Sequence, residues 1–195
     1  MTKTTIEKFH PVSINNAAVQ YKNGSTYAPG TAFGCIGSIE GETEITTKQL
    51  KCGAIILKEN SKATKSTLTV TLADVPVQVA RDYFGYSNEG LKDGVYSYGT
   101  NSKGKEFIFT AEEVDDFEET TKLIAFPKCV SATGYKISVD NSSDEVANIE
   151  FEITALPDAH GQIVYEAFVA EVTDETIKNQ WHTAFTRELV AAPII

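Results

Sequence analysis

The chain has 195 residues, 42% hydrophobic and 23% charged, which excludes wholesale disorder and suits a single well-buried core. Its 27 acids against 17 bases give a net charge of −10, a balance that argues against binding nucleic acid by phosphate neutralisation. Cys35, Cys52 and Cys129 are odd in number, scattered and without C-x-x-C spacing, so no disulfide framework or zinc knuckle is indicated and a reducing compartment is expected.

Residues 1–12 are polar and lack the apolar core of a secretory signal. No run approaches the roughly 18 apolar residues of a membrane span, so a soluble, cytoplasmically made protein without membrane insertion is expected. The pattern that follows is mostly strand. Segments 17–21 and 25–28 flank Asn23-Gly24, a dipeptide suited to a tight turn with positive φ. Residues 32–59 alternate loosely around Gly34, Gly37, Gly41 and Gly53, which predicts two long strands joined by a mobile connection over 42–51. The polar run 60–65 reads as a turn. Leu68, Val70 and Leu72 then alternate with threonines, the pattern of a half-buried strand.

A helix is expected next, capped by Asp74, opened by Pro76 and closed by Gly85. Val75, Val79 and Tyr83 recur at helical spacing beside Ala80 and Phe84, a face suited to covering a sheet. Residues 90–104 read as a loop or hairpin. A strand from Phe107 runs into the acidic stretch 112–119, read as a solvated hairpin tip, and 123–130 returns with Pro127 marking an edge or a bulge. Strands follow at 135–139, 149–155 and 164–169, with a turn at 140–144. The run 149–168 around Pro157-Asp158-Ala159-His160-Gly161 carries a β-hairpin signal. Asp174 caps a short helix that puts Ile177, Trp181 and Phe185 on one face, and 188–195 is an apolar arm. Without repeats or low-complexity linkers, 1–195 is read as one domain.

The residues carry little chemistry. Gly99 to Lys105 has P-loop spacing, but Glu106 stands where magnesium needs Ser or Thr, and a strand rather than a helix follows. His10, His160 and His182 have no partners at metal spacing, and no nucleophile signature is present, so no catalytic, cofactor-binding or metal residues are assigned and enzyme activity is not expected. The acidic stretch 112–119 lacks the pattern of an EF-hand loop. Tyr83, Phe84, Tyr86, Tyr96 and Tyr98 keep a carbohydrate-binding or protein-binding β-sandwich open as a rival, and a small enzyme is a second.

Three segments taken in order, 70–85, 122–130 and 149–168, resemble the major tail tube proteins of long, flexible-tailed bacteriophages, especially those of Gram-positive hosts. The resemblance implies a mainly β fold, a β-sandwich or distorted barrel with a flanking helix, an N-terminal arm over about 1–12, a long stacking loop over about 40–65 and a C-terminal arm over about 188–195. It implies self-association into hexameric rings stacked as a tail tube in the virion, assembled in the host cytoplasm. Partners would be other tail proteins (tape measure, tail terminator, distal tail), with DNA passing through the lumen without specific binding. The tube of a phage-derived bacteriocin is the alternative within the same class. An acidic lumen is expected from the net charge, with the tip 112–119 as the candidate lining.

Overall fold

The computed structural model describes residues 5–134 and 149–192. The expected strand at 135–139, the turn at 140–144 and the extreme ends of both arms lie outside the described residues. The fold is mainly β. Strands β1 (Ser13–Asn23), β2 (Thr26–Tyr27), β3 (Thr31–Ala32), β4 (Cys35–Cys52) and β5 (Ile55–Asp74) precede helix α1 (Val77–Phe84). Then come β6 (Phe107–Asp115), β7 (Thr120–Ser131), β8 (Ile149–Ala155) and β9 (Tyr165–Phe168), with short helices α2 (Glu175–Gln180) and α3 (Arg187–Val190). All pairings are antiparallel, in the order β2-β1-β6-β7-β8-β5-β4, with β3 on β1 and β9 on β7.

Alternation along these strands sorts two cores. The inner set draws Val19 from β1, Phe107 and Phe109 from β6, Phe126 from β7, Val70 and Leu72 from β5, and Phe151 from β8. The sheet rolls over on itself, so that Phe33 touches both Phe109 and Phe151, at 5.4 and 5.3 Å between ring centres. Helix α1 closes one side. Tyr83 packs on Phe151 at 4.6 Å and donates its hydroxyl to the Glu152 carbonyl, while the Tyr21 hydroxyl donates to the Val79 carbonyl at 2.9 Å. Gly85 ends the helix as expected, but Asp74 does not cap it: its carboxylate accepts from the Cys35 N–H at 2.8 Å, tying β5 to the start of β4.

The odd-numbered residues of β7 before Pro127 and the even-numbered ones of β6 face the other way. Ile108, Leu123 and Ala125 form a second core with Trp181 and Phe185, against which Ile177, Leu189 and Val190 pack. Asp174 caps α2 through the Thr176 N–H at 2.8 Å, and the Trp181 Nε1–H donates to the Ile124 carbonyl at 3.0 Å. The cap lies so close to the β2–β3 connection that a Cβ at Gly30 would stand 1.8 Å from the His182 carbonyl oxygen, so only glycine fits.

Two expected features take a different form. Residues 149–168 do not form a hairpin, because β8 and β9 do not pair with each other. Both lie along β7, β9 against residues 122–125 and β8 against 129–131. The turn between them does fold, with Asp158 accepting from the His160 and Gln162 amides at 2.8 and 2.9 Å. Pro127 cannot donate to a ladder, and the register against β6 slips by one residue there, so β7 offers two separate edges rather than one. The second correction concerns 42–65, which is neither mobile connection nor turn but a continuous ladder reversed at Gly53 and Ala54.

Replacing Phe151 with Ala should cost about 3–5 kcal/mol, read as a fall in the urea midpoint. Phe117→Ala, at a side chain 79% exposed, should change stability by less than about 0.5 kcal/mol.

Candidate assembly surface

Burial along β5 stops at one residue. Leu72, Val70, Leu68 and Ser66 are buried, each paired with β8 or β4, Lys65 is half-buried, and from Thr64 to Ile55 every residue is exposed. The partner strand is exposed from Gly41 to Cys52. Residues 45–52 and 55–64 therefore project as a two-stranded arm, on the order of 30 Å long at the usual strand rise. Gly53 turns the tip at φ 59, a value that L side chains rarely adopt.

The arm is held by cross-strand pairs alone. Thr43 and Ser66 hydroxyls share a hydrogen bond at 2.7 Å, Thr47 and Ser61 another at 2.8 Å, and Gln49 donates to Glu59 at 2.6 Å. Large apolar side chains nonetheless remain in water: Ile45, Leu50, Ile55, Ile56 and Leu57 are each about half or more exposed. Beyond its pairing with β5, β4 presents an unpaired edge along the arm among the described residues. Unpaired edges and solvated aliphatic side chains are features that a monomeric protein ordinarily avoids.

The acidic stretch 112–119 is only partly the solvated tip expected of it. Asp116, Phe117, Glu118 and Glu119 form the exposed β6–β7 turn, whereas the other three acids are built into the fold. Asp115 is buried and accepts from the His10 amide at 2.6 Å and from the Phe117 and Glu118 amides at 3.0 and 3.2 Å. Burial opposes its charge, and these three donors outweigh burial, holding the carboxyl below the usual aspartate range. Glu113 pairs with Lys122. Glu112 accepts from His182 Nε2 at 3.0 Å and from Asn16 Nδ2 at 2.7 Å, while Thr110 bonds His182 Nδ1 at 2.9 Å. His182 is thus a clasp between the C-terminal cap and β6, not a solvated loop histidine. Strand alternation carries the missed signal, since Ile108, Thr110 and Glu112 must share the face that the cap covers.

The terminal segments lie on the same body. The Val12 amide donates to the Val114 carbonyl at 2.8 Å and the Ile6 amide to Glu171 Oε1 at 2.8 Å, while Phe9 packs edge-on against Phe168. Arg187 in α3 stacks over Tyr165 at 5.8 Å. A shallow cleft beside Lys22, Tyr27, Glu106 and Arg187 has much of its charge paired internally, Glu106 accepting from Lys22 at 2.6 Å and from Tyr27 at 2.9 Å. Residues 99–104 lead directly into β6 and open no helix. Among the described residues no group of three His, Cys, Asp or Glu side chains is placed to hold a metal ion, and no helix is long and apolar enough to cross a membrane. Tyr83 and Phe84 belong to the core, whereas Tyr96 and Tyr98 are partly exposed and Tyr96 lies 3.7 Å from the Arg81 guanidinium.

No family model matches this chain, and no curated protein does. Among solved structures, a chain of the cryo-EM structure of the anti-feeding prophage baseplate, six-fold symmetrised, superposes with a TM-score of 0.43 at 10% identity, covering 84% of this chain and 97% of that one. A similarity of that size identifies no family.

The clasp gives a pH dependence of known sign. The His182 hydrogen bond, helped by Asn16 and opposed by burial, holds the Glu112 carboxyl below its ordinary 4.5. A depressed carboxylate stabilises the fold above its unfolded value and loses that contribution as pH falls through the folded one. Glu112→Gln should therefore lower the urea midpoint at neutral pH, and the gap to the parent chain should close as pH falls below the ordinary 4.5 and through the lower folded value.

Proposed function

We propose that this chain is a structural subunit of a phage-type tail tube, whose copies join as hexameric rings and stack into the conduit for DNA. The observation that carries this reading is the arm: nine strand pairs, both faces uncovered, an unpaired edge and five solvated aliphatic side chains. In water such a ribbon is marginal by itself, since two strands without a covered face lack the burial that stabilises a sheet. Covering it with another copy removes both the apolar exposure and the open edge, and a contact repeated head to tail generates rings or filaments. The likeness of segments 70–85, 122–130 and 149–168 to major tail tube proteins points the same way. Its partners would be further copies and the other proteins of a tail, its place the particle, and its role non-enzymatic. An acidic chain would let DNA pass without holding it.

Glu44 and Lys65 face each other where the arm leaves the body, bridged by an ion pair at 3.2 Å. Replacing residues 45–64 with an Asn-Gly turn should therefore leave the far-UV spectrum of the body and its cooperative melting intact. In negative-stain images across a concentration series, the parent chain should form rings or tubes and the shortened chain none. Normal assembly of the shortened chain, or a parent chain that stays a compact monomer throughout, would contradict the reading.

A further inference from the structure

The charge on the hairpin is segregated along a single face. Residues 45–65 hold Lys48, Lys51, Lys58, Lys62 and Lys65 against one acid, Glu59, in a chain whose net charge is −10. Residues directly opposed across a ladder share a face, so the pairs Thr46–Lys62, Lys48–Asn60 and Leu50–Lys58 put Lys48, Lys58 and Lys62 together. Thr46, Lys48, Asn60, Lys62 and Thr64 line one shallow depression there. Nearer the body, the same alternation along β4 places Glu40 and Glu42 on that face. Thr69 lies between Glu40 and Glu152 across the three strands, and Thr71 opposes Glu150, so the base of this face is acidic. Glu42 and Thr46, the partner of Lys62, are four residues apart, roughly 14 Å along the strand, and the Glu44–Lys65 ion pair lies between them on the same face. At such a separation, beyond the screening length of about 8 Å at physiological salt, the two patches do not neutralise each other within one chain. Lys48, Lys58, Lys62, Glu40 and Glu42 form no ion pairs among the described residues.

We infer that the lysine face of the arm docks on the acidic base, Glu40 and Glu42, of a second copy of this chain. This deepens the tube reading and rests on it: the arm supplies the contact, and its charge chooses where on the neighbour it lands. A single ribbon carrying acid at one end and base at the other is complementary to a copy displaced along it. Such a contact is heterologous and leaves the joined pair with one unused donor end and one unused acceptor end, so it propagates. Complementary charge also fixes register, which a smooth apolar arm would leave loose. The exposed β6–β7 turn, with Asp116, Glu118 and Glu119, is the competing acceptor, and duplex DNA the competing ligand of the lysines.

A charge swap separates these. All the altered side chains are exposed, so K48E/K58E/K62E and E40K/E42K should retain the parent's far-UV spectrum. Each set alone should raise the concentration needed for assembly, followed by light scattering, by about tenfold or more. The combined five-residue swap should return it to within a few fold of the parent. Raising salt from about 50 mM to about 500 mM, where screening acts within roughly 4 Å, should weaken assembly of the parent and of the swapped chain alike. The inference is overturned if either set assembles like the parent, or if the combined swap does not recover. It is likewise overturned if D116K/E118K/E119K rescues the arm variant in place of E40K/E42K, or if the lysine changes abolish duplex DNA retention and leave assembly untouched. Should a swapped chain fail to fold, E42C and K48C chains with the native cysteines replaced by serine serve instead. A short dimaleimide should join them between copies, and absence of that adduct in assembled material overturns the docking. A parent chain that never assembles removes the tube reading itself, whereas assembly without the charge dependence removes only this contact.

Discussion

The point where cover over β5 ends governs the rest of the molecule. From Leu72 to Ser66 alternate side chains of this strand are sealed by β8 and the rolled inner face, and burial of that kind contributes about 25 cal/mol for each Å² of apolar surface. Two residues further on there is no body beneath the strand. The ladder continues for nine more pairs with cross-strand contacts as its only local support, each contributing roughly 0.2–1 kcal/mol. Local stability must therefore fall steeply along a single hairpin, from the global value at its base to near zero at the Gly53 turn. An element built this way is poised to be ordered by whatever covers it.

The body that carries the arm is, by contrast, covered on both faces where it matters. The β6–β7 pair puts Phe107, Phe109 and Phe126 into the rolled interior and Ile108, Leu123 and Ala125 under the Trp181–Phe185 cap. Polar groups lock the layers together: Trp181 to the Ile124 carbonyl, His182 between Thr110 and Glu112, and Asp115 gathering the N-terminal segment onto the β6–β7 turn. A rigid base with a thinly supported arm is the division that the proposed stacking role requires. The same side chains explain why the acid-rich stretch is a poor guide to a channel lining. Glu112, Glu113 and Asp115 are occupied inside the fold, and reversing them would test folding rather than DNA passage.

Local patterns that are enforced by burial were legible in the sequence. The Thr/Leu alternation of β5, the apolar face of α1 with its Gly85 stop, and the Asp174 cap with Trp181 and Phe185 inward all appear where spacing puts them. The arm reads as connection and turn because a ribbon with no covered face is under no demand to alternate; Asn60-Ser61-Lys62 is polar on both sides for that reason. Pairing partners were equally hidden. Ile149–Ala155 and the strand after Gly161 look like a hairpin locally, and only the bulge at Pro127, which splits the edge of β7, separates them. The charge segregation was visible as composition, yet its meaning needed the register that puts Lys48, Lys58 and Lys62 on one face.

Amide hydrogen exchange, read by mass spectrometry on dilute chain and on assembled material, probes the central claim most directly. In dilute solution the peptides spanning 45–63 should exchange orders of magnitude faster than those containing Phe109 or Phe151, because nothing but the ladder itself protects them. After assembly the same peptides should slow towards the rates of the body, while the core peptides change little. Arm peptides that are already as protected as the core in the dilute chain, or that exchange at the same fast rate in rings and tubes, would contradict the assignment of this hairpin as the element that joins one copy to the next.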